Sequence, residues 1–222
     1  MNIDIRQIET SSLFDLSRSI AGGAVGAHIY PWEFLGEIGG FIKSWRPEEG
    51  YESAGEYVWI HKTAKIAPTA HISGPCIIGP DTEVRHCAFI RGNAVVGAGC
   101  VVGNSVELKN CVLFDGVQVP HYNYVGDSIL GYKAHMGAGS ITSNVKSDKS
   151  EVVIKGGGIA VAANRKKVGA MLGDFVEIGC NSVLNPGTVI GRASSVYPLS
   201  SVRGIVPAES IYKSKDDIVK KH

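Results

Sequence analysis

Residues 72–114 read ISGPCI IGPDTE VRHCAF IRGNAV VGAGCV VGNSVE LKNCVL F, and each block of six begins with a branched aliphatic or, at the end, Phe. The pattern starts earlier. From Ile60 through Ile66, Ile72, Ile78, Val84, Ile90, Val96, Val102 and Leu108 to Phe114, ten successive sixth positions obey it. Such residues are about 30% of the chain, so chance would give this a few times in a million before allowing for the choice of frame. Four residues after each large side chain comes a small or modest one, as at Ala64, Ala70, Cys76, Thr82, Ala88, Ala94 and Cys100. The period returns at Leu172, Ile178, Leu184, Ile190, Val196 and Val202. Six is neither a helical period nor strand alternation. It is a solenoid period in which one hexad supplies a short strand and a corner, and three hexads close a triangular coil. The large residue points inward, and stacked coils form parallel ladders around an Ile/Val core. Gly79, Gly97, Gly103, Gly173, Gly179 and Gly191 follow the aliphatics, where a sharp turn is needed.

Working outward, residues 56–206 form the solenoid. The hexad holds to Phe114, then slips by one near Pro120 and again near Leu130, which sets Val119, Val125, Leu130 and Met136 inward. Residues 1–55 lack the hexad. Thr10 or Ser11 caps a first helix carrying Leu13, Leu16 and Ile20, and Pro31 opens a second with Leu35, Ile38, Phe41 and Ile42. This region is expected to cover the open end of the solenoid, protecting exposed strand edges. Residues 143–171 interrupt the repeat as a loop rich in cations: Lys146, Lys149, Lys155, Arg165, Lys166 and Lys167 against Asp148 and Glu151. A solvated loop and an anion-binding flap are both open readings of it. Residues 207–222 are expected to be a terminal helix with Ile211, Ile218 and Val219 inward.

The net charge of +1 gives no global reason to bind nucleic acid or an anionic membrane. No apolar run is long enough to span a bilayer, and residues 1–30 lack a signal-peptide pattern, so a cytoplasmic protein is expected. The five cysteines show no CxxC spacing and read as reduced structural thiols.

Two cations carry the first hint of chemistry. Arg91 and Lys109 directly follow the inward Ile90 and Leu108, and 18 residues separate them, one full coil. They therefore stack on one corner about 5 Å apart. Either they are surface cations sharing a face by accident, or an anion such as phosphate sits between them. One coil on, at the slip, stands His121, the side chain type best suited to proton transfer near neutral pH, although a lone His is more often structural.

The hexads resemble the left-handed parallel β-helix of hexapeptide-repeat acyltransferases, with the handedness implied by the resemblance alone. A narrower resemblance rests on three strings: Gly103 to Lys109 (GNSVELK), Pro120 to Asp127 (PHYNYVGD) and Met136 to Asn144 (MGAGSITSN). They resemble the acetyltransferase half of bifunctional glucosamine-1-phosphate acetyltransferase/N-acetylglucosamine-1-phosphate uridylyltransferase, without gaps from Arg91 to Asn144. The basic insertion is closer to archaeal sugar-1-phosphate versions, and the resemblance covers about half the chain. It implies that His121 is the catalytic base. It places sugar-phosphate contacts on Arg91, Lys109, Tyr124, His135 and Lys149, and acetyl-CoA contacts on Ala138, Asn144 and Cys180. His135 stands where the family commonly has Asn, and Val145 where Tyr is usual. The resemblance also implies a homotrimer with sites between subunits, and no metal for the transfer.

Residues 1–55 are too short for the nucleotide-binding half of that family, so no nucleotidyltransferase activity is expected. Two other readings remain open. One is a non-catalytic chain that binds a sugar phosphate or nucleotide sugar, or serves assembly. The other is a γ-type carbonic anhydrase, a zinc lyase on the same fold, for which His86, His121 and His135 lie in the same region but the His-x-x-x-x-His pair is absent.

Overall fold

A computed structural model describes residues 3–221. Its body is a parallel β-helix of about nine turns, as the hexads require, with three ladders running along it. The first face stacks Val58–His61, Cys76–Ile78, Ala94–Val96, the ends of Glu107–Leu113 and Tyr124–Leu130, then Ala170–Leu172, Thr188–Ile190 and Ile205–Val206. The second carries Glu83–Val84, Val101–Asn104, Gln118–His121, His135–Met136 and Glu177–Ile178. The third carries Phe89–Ile90, the starts of Glu107–Leu113 and Tyr124–Leu130, then Ile141–Thr142, Val183–Leu184 and Ser201–Val202. The inward hexad residues from Ile78 to Leu108 and from Leu172 to Val202 are fully or almost fully buried, as are Val119, Val125, Leu130 and Met136. Cys76 and Cys100 are buried at their small-residue positions, and burial pushes each thiol up to about 12.

The slips lie elsewhere than expected. Leu108 pairs with Ile90, an offset of 18, but Leu113 pairs with Val96, an offset of 17. The first residue is therefore lost at the corner Lys109–Asn110. The second is lost at Gly126–Asp127, because Leu108 pairs with Val125 and Cys111 with Ser128. Phe114 is consequently not an inward hexad residue: Leu113 is. Phe114 takes the rung position of Gly97 and Gly131, and it is buried against Phe14 of the N-terminal region, ring centroids 5.1 Å apart.

Both terminal expectations need correction. Residues 5–44 form six short helical segments in place of two longer helices, from Ile5–Ile8 to Ile38–Ser44, with Leu13, Leu35, Ile38 and Ile42 buried as expected. Extended backbone at Phe14 and Ser19 interrupts the first expected helix, and the glycines within Gly22–Gly26 and Ile38–Ser44 weaken the later segments. They lie along the side of the solenoid and not over its end. Asp174 N–H bonds the Leu13 carbonyl, Asp115 N–H the Arg18 carbonyl, and Asn110 Nδ2 the Leu35 carbonyl. The fully buried Asp174 carboxylate accepts from Asp15 N–H at 2.7 Å, Tyr132 N–H at 2.8 Å and Arg192 at 2.5 Å. The first strand edge is covered instead by Tyr51–Gly55, antiparallel to Val58–His61.

The C-terminal segment is a hairpin, Ser210–Ser214 with Asp217–Lys220. Tyr212, not Ile211, holds the inward place, paired with Val196 and 4% exposed. An open ladder edge recruits a β-branched and aromatic segment more strongly than helix propensity does. The basic insertion also contains a hairpin, Val153–Gly156 with Ile159–Ala162, and Val152 and Ile154 are fully buried. It is an ordered flap and not a solvated loop. Among the described residues no helix is long and apolar enough to cross a membrane.

Candidate active site

The third face holds the candidate site. Outward-pointing positions on its strands stack Phe89, Glu107 and Tyr124 on successive rungs. Arg91 and Lys109 come next at the corner, and Arg91 N–H bonds the Leu108 carbonyl at 2.8 Å, so the two cations occupy neighbouring rungs as the 18-residue spacing requires. They are not equivalent. Arg91 Nη1 donates to Glu107 Oε1 at 2.7 Å, whereas no carboxylate lies within ion-pair distance of Lys109 among the described residues.

The shortened corners create a polar ladder beside these cations. Asp127, 4% exposed, accepts from Asn110 Nδ2 at 2.8 Å and from Asn144 Nδ2 at 2.5 Å. Asn144 Nδ2 also lies 3.3 Å from the Tyr124 hydroxyl oxygen. Burial first, then the Asp127 and Glu107 charges, hold the Tyr124 phenol above its usual range. Tyr124 therefore stays protonated with its own O–H free to donate. Gly126 makes room for it, because a Cβ there would stand 2.4 Å from the Tyr124 hydroxyl.

His121 stands at the opposite edge of the face, on the corner between the second and third ladders. Backbone bonds place one residue per coil on that corner: His86, Asn104, His121, Ala138 and Cys180. The corner is fixed by Asn123, 2% exposed, whose Oδ1 accepts from His121 N–H at 3.1 Å and whose Nδ2 donates to the Gly137 and Ser140 carbonyls at 2.8 and 3.0 Å. The His121 side chain is exposed. On the next rung, the Ala138 N–H has no acceptor among the described residues.

Of the residues expected from sequence, Arg91, Lys109 and Tyr124 come together on one face, and His121, Ala138 and Cys180 align on its edge. Asn144, expected beside the coenzyme, hydrogen-bonds Tyr124 and Asp127. His135 lies on the second face, where its Nδ1 is 2.7 Å from Glu177 Oε2. Lys149 sits in an exposed turn of the insertion, its N–H bonded to the Lys146 carbonyl. Three members of the cluster were not foreseen. Glu107 could have been found by counting 18 from the outward Phe89. Asp127 and Asn110 could not, because the 17-residue coil that aligns them is invisible while Phe114 still fits the hexad. Among the described residues no three His, Cys, Asp or Glu side chains converge as a metal site.

With this geometry in hand, the comparisons identify the chain's relatives. The family described as the GMPPB C-terminal domain matches residues 72–191, more than half of the chain. The chain belongs to that family. It is also similar to a bifunctional sugar-1-phosphate nucleotidylyltransferase/acetyltransferase of Sulfurisphaera tokodaii, 35% identical over 39% of this chain and 21% of that protein. A bifunctional protein GlmU of Methanococcus maripaludis is 32% identical over 60% of this chain and 32% of its own length. The chain spans roughly a fifth to two-fifths of these curated relatives. Among solved structures it matches the acetyltransferase domain of PglB from Neisseria gonorrhoeae in complex with acetyl coenzyme A, at 15% identity and TM-score 0.34 over 72% of this chain and 56% of that one. It also matches a variant of AntD, an N-acyltransferase from Bacillus cereus in complex with dTDP and coenzyme A, at 16% identity and TM-score 0.38 over 79% and 93%.

Proposed function

We propose that this chain transfers the acetyl group of acetyl-CoA to the amine of an amino-sugar 1-phosphate. The observation that carries the reading is the shared face: a proton acceptor on one edge, two stacked cations on the other, and a protonated phenol between them. Lys109 and Arg91 take the sugar phosphate, with Arg91 exchanging its Glu107 partner for the ligand. The Tyr124 hydroxyl donates to the sugar. The amine attacks the thioester carbonyl, forming the C–N bond while its proton passes to His121. The tetrahedral oxyanion is stabilised by the Ala138 N–H, a preorganised donor aimed at developing charge. Its collapse breaks the C–S bond, and His121 returns the proton to the leaving thiolate. No covalent enzyme intermediate is involved; holding both substrates in place supplies much of the rate. Cys180 lies along the coenzyme's path, on the rung after Ala138. By its family resemblance the chain works as a cytoplasmic homotrimer, in which His135 and Lys149 reach a site from a neighbouring copy.

The test is release of coenzyme A thiol from acetyl-CoA with glucosamine-1-phosphate and galactosamine-1-phosphate as acceptors. Light scattering on the same sample reads the oligomer. Acceptor-dependent release supports the reading, and none with a folded trimer would contradict it. A second reading rests on His135 and Val145, which stand where the family commonly has Asn and Tyr: the chain binds sugar phosphate or nucleotide sugar without turnover. In that case calorimetry detects ligand binding while thiol release stays at background.

A further inference from the structure

The basic insertion frames a groove against the last coils. Its first strand packs on the last coils so closely that two glycines are obligatory. Gly204 has φ +82°, and a Cβ there would stand 2.2 Å from the Lys155 carbonyl oxygen. A Cβ on Gly187 would meet the Val152 side chain at 2.7 Å. The tip of the hairpin is tied to the N-terminal segment by Ile3 N–H bonding the Gly157 carbonyl at 3.1 Å. The groove between hairpin and coils is therefore built and not incidental.

Three adjoining clefts of about 480, 250 and 290 Å³ run along this groove, and Arg203 lines all of them. In the middle one, Lys146, Lys155 and Arg203 converge over the backbone of Gly187 and Gly204, with no carboxylate in the lining. Among the described residues neither Lys155 nor Arg203 has an ion-pair partner, whereas Lys146 is 3.5 Å from Asp148, which lines the neighbouring cleft. Three cations facing one cleft repel each other unless an anion joins them, and the Arg fork suits a phosphate. The largest of the three is mixed in character: Ile3, Ile205, Pro207 and Ile218 line it together with Arg203, Lys215 and Asp216. Its size is that of a small-molecule pocket.

We infer that this groove binds a nucleoside diphosphate, with the diphosphate on Lys146, Lys155 and Arg203 and the nucleoside in the larger, mixed cleft, its base against Ile205 and Ile218 and its hydroxyls toward Asp216. The inference does not depend on acetyl transfer. Two sources share the chemistry. One is a free nucleotide or nucleotide sugar. The other is the nucleoside end of coenzyme A: Ser201, two residues before Arg203, stands three rungs from Tyr124, roughly 14 Å along the axis. A pantetheine arm extends on the order of 16 Å.

The test is titration calorimetry with ADP, UDP, inorganic pyrophosphate and acetyl-CoA on the wild type, on Lys155→Ala/Arg203→Ala and on the control Lys62→Ala. Expected is binding of at least one nucleoside diphosphate, tighter than pyrophosphate, that weakens at least about ten-fold in the double variant and not in the control. Both mutated side chains are exposed, so the fold should persist; a melting curve checks it, and Lys155→Gln/Arg203→Gln replaces the pair if it does not. A parallel loss of acetyl-CoA affinity assigns the groove to the coenzyme, and unchanged acetyl-CoA affinity assigns it to a free nucleotide. The inference is overturned if the wild type binds neither nucleotide at millimolar concentration, if pyrophosphate binds as well as both, or if the double variant binds like the wild type. Absence of thiol release beside intact ADP or UDP binding would refute the transferase and leave this site standing.

Discussion

Asp127→Ala should damage both the solenoid and the site. The carboxylate is 4% exposed and accepts two side-chain amide donors, Asn110 at 2.8 Å and Asn144 at 2.5 Å. Asn110 keeps the Leu35 carbonyl and Asn144 the Tyr124 hydroxyl, so removing the carboxylate leaves one N–H of each amide unpaired in a part-buried corner, at about 1–3 kcal/mol each. Relief of the carboxylate's own desolvation offsets some of this, leaving a net loss of about 2–4 kcal/mol. For a chain of this length that is a fall in Tm of about 4–16 °C. Asp127→Asn keeps one good acceptor and turns an amide donor on the other Asn, so it should lose about half as much. The site effect follows from Asn144, which links Asp127 to the Tyr124 hydroxyl. The KM for the sugar phosphate should rise while kcat changes little. Circular dichroism melts of the wild type, both variants and Asn144→Ala, followed by kinetics, provide the check. A double-mutant cycle of Asp127→Ala with Asn144→Ala should show a coupling of about 0.5–3 kcal/mol. If Asp127→Ala melted within about 1 °C of wild type, or the two changes were additive, the ladder would not be the organising element described.

Further outcomes are expected. Glu107→Gln frees Arg91 from a surface ion pair. It should therefore lower the KM for the sugar phosphate modestly, and a raised KM in steady-state kinetics would show that Glu107 itself holds substrate. Burial raises Asp174 above its usual 3.8 despite three donors. Its folded form thus favours the proton more than its unfolded form does, so its stabilisation is fullest below pH 3.8 and declines as pH climbs through the raised value. Asp174→Asn should flatten that part of the stability–pH curve in urea titrations, and an unchanged slope would contradict the assignment.

The repeat was legible because inward residues of a solenoid recur at a fixed interval, and every one from Ile78 to Leu108 is buried as the interval demands. The cations were legible for the same reason: Arg91 and Lys109 inherit their alignment from Ile90 and Leu108. What the period cannot encode is where it breaks. Phe114 satisfies the hexad by residue type, yet the coil had already lost a residue at Lys109–Asn110, and only pairing of Leu113 with Val96 shows it. That hidden slip is what aligns Asn110, Asp127 and Asn144. The terminal segments misled for another reason. Helix-like spacing in 10–20 is interrupted by extended backbone at Phe14 and Ser19, and in 211–219 it is overridden by an open ladder edge. Placement of His135 against Glu177 needed the 42-residue offset across the insertion, which no regular period supplies.

The central claim is that His121 moves the proton in acetyl transfer on the third face. Single-turnover thiol release with acetyl-CoA and an amino-sugar 1-phosphate, comparing wild type with His121→Ala, tests it most directly. The account predicts a loss of about 10²–10⁴ in rate with sugar-phosphate affinity retained. A His121→Ala enzyme as fast as wild type would contradict it.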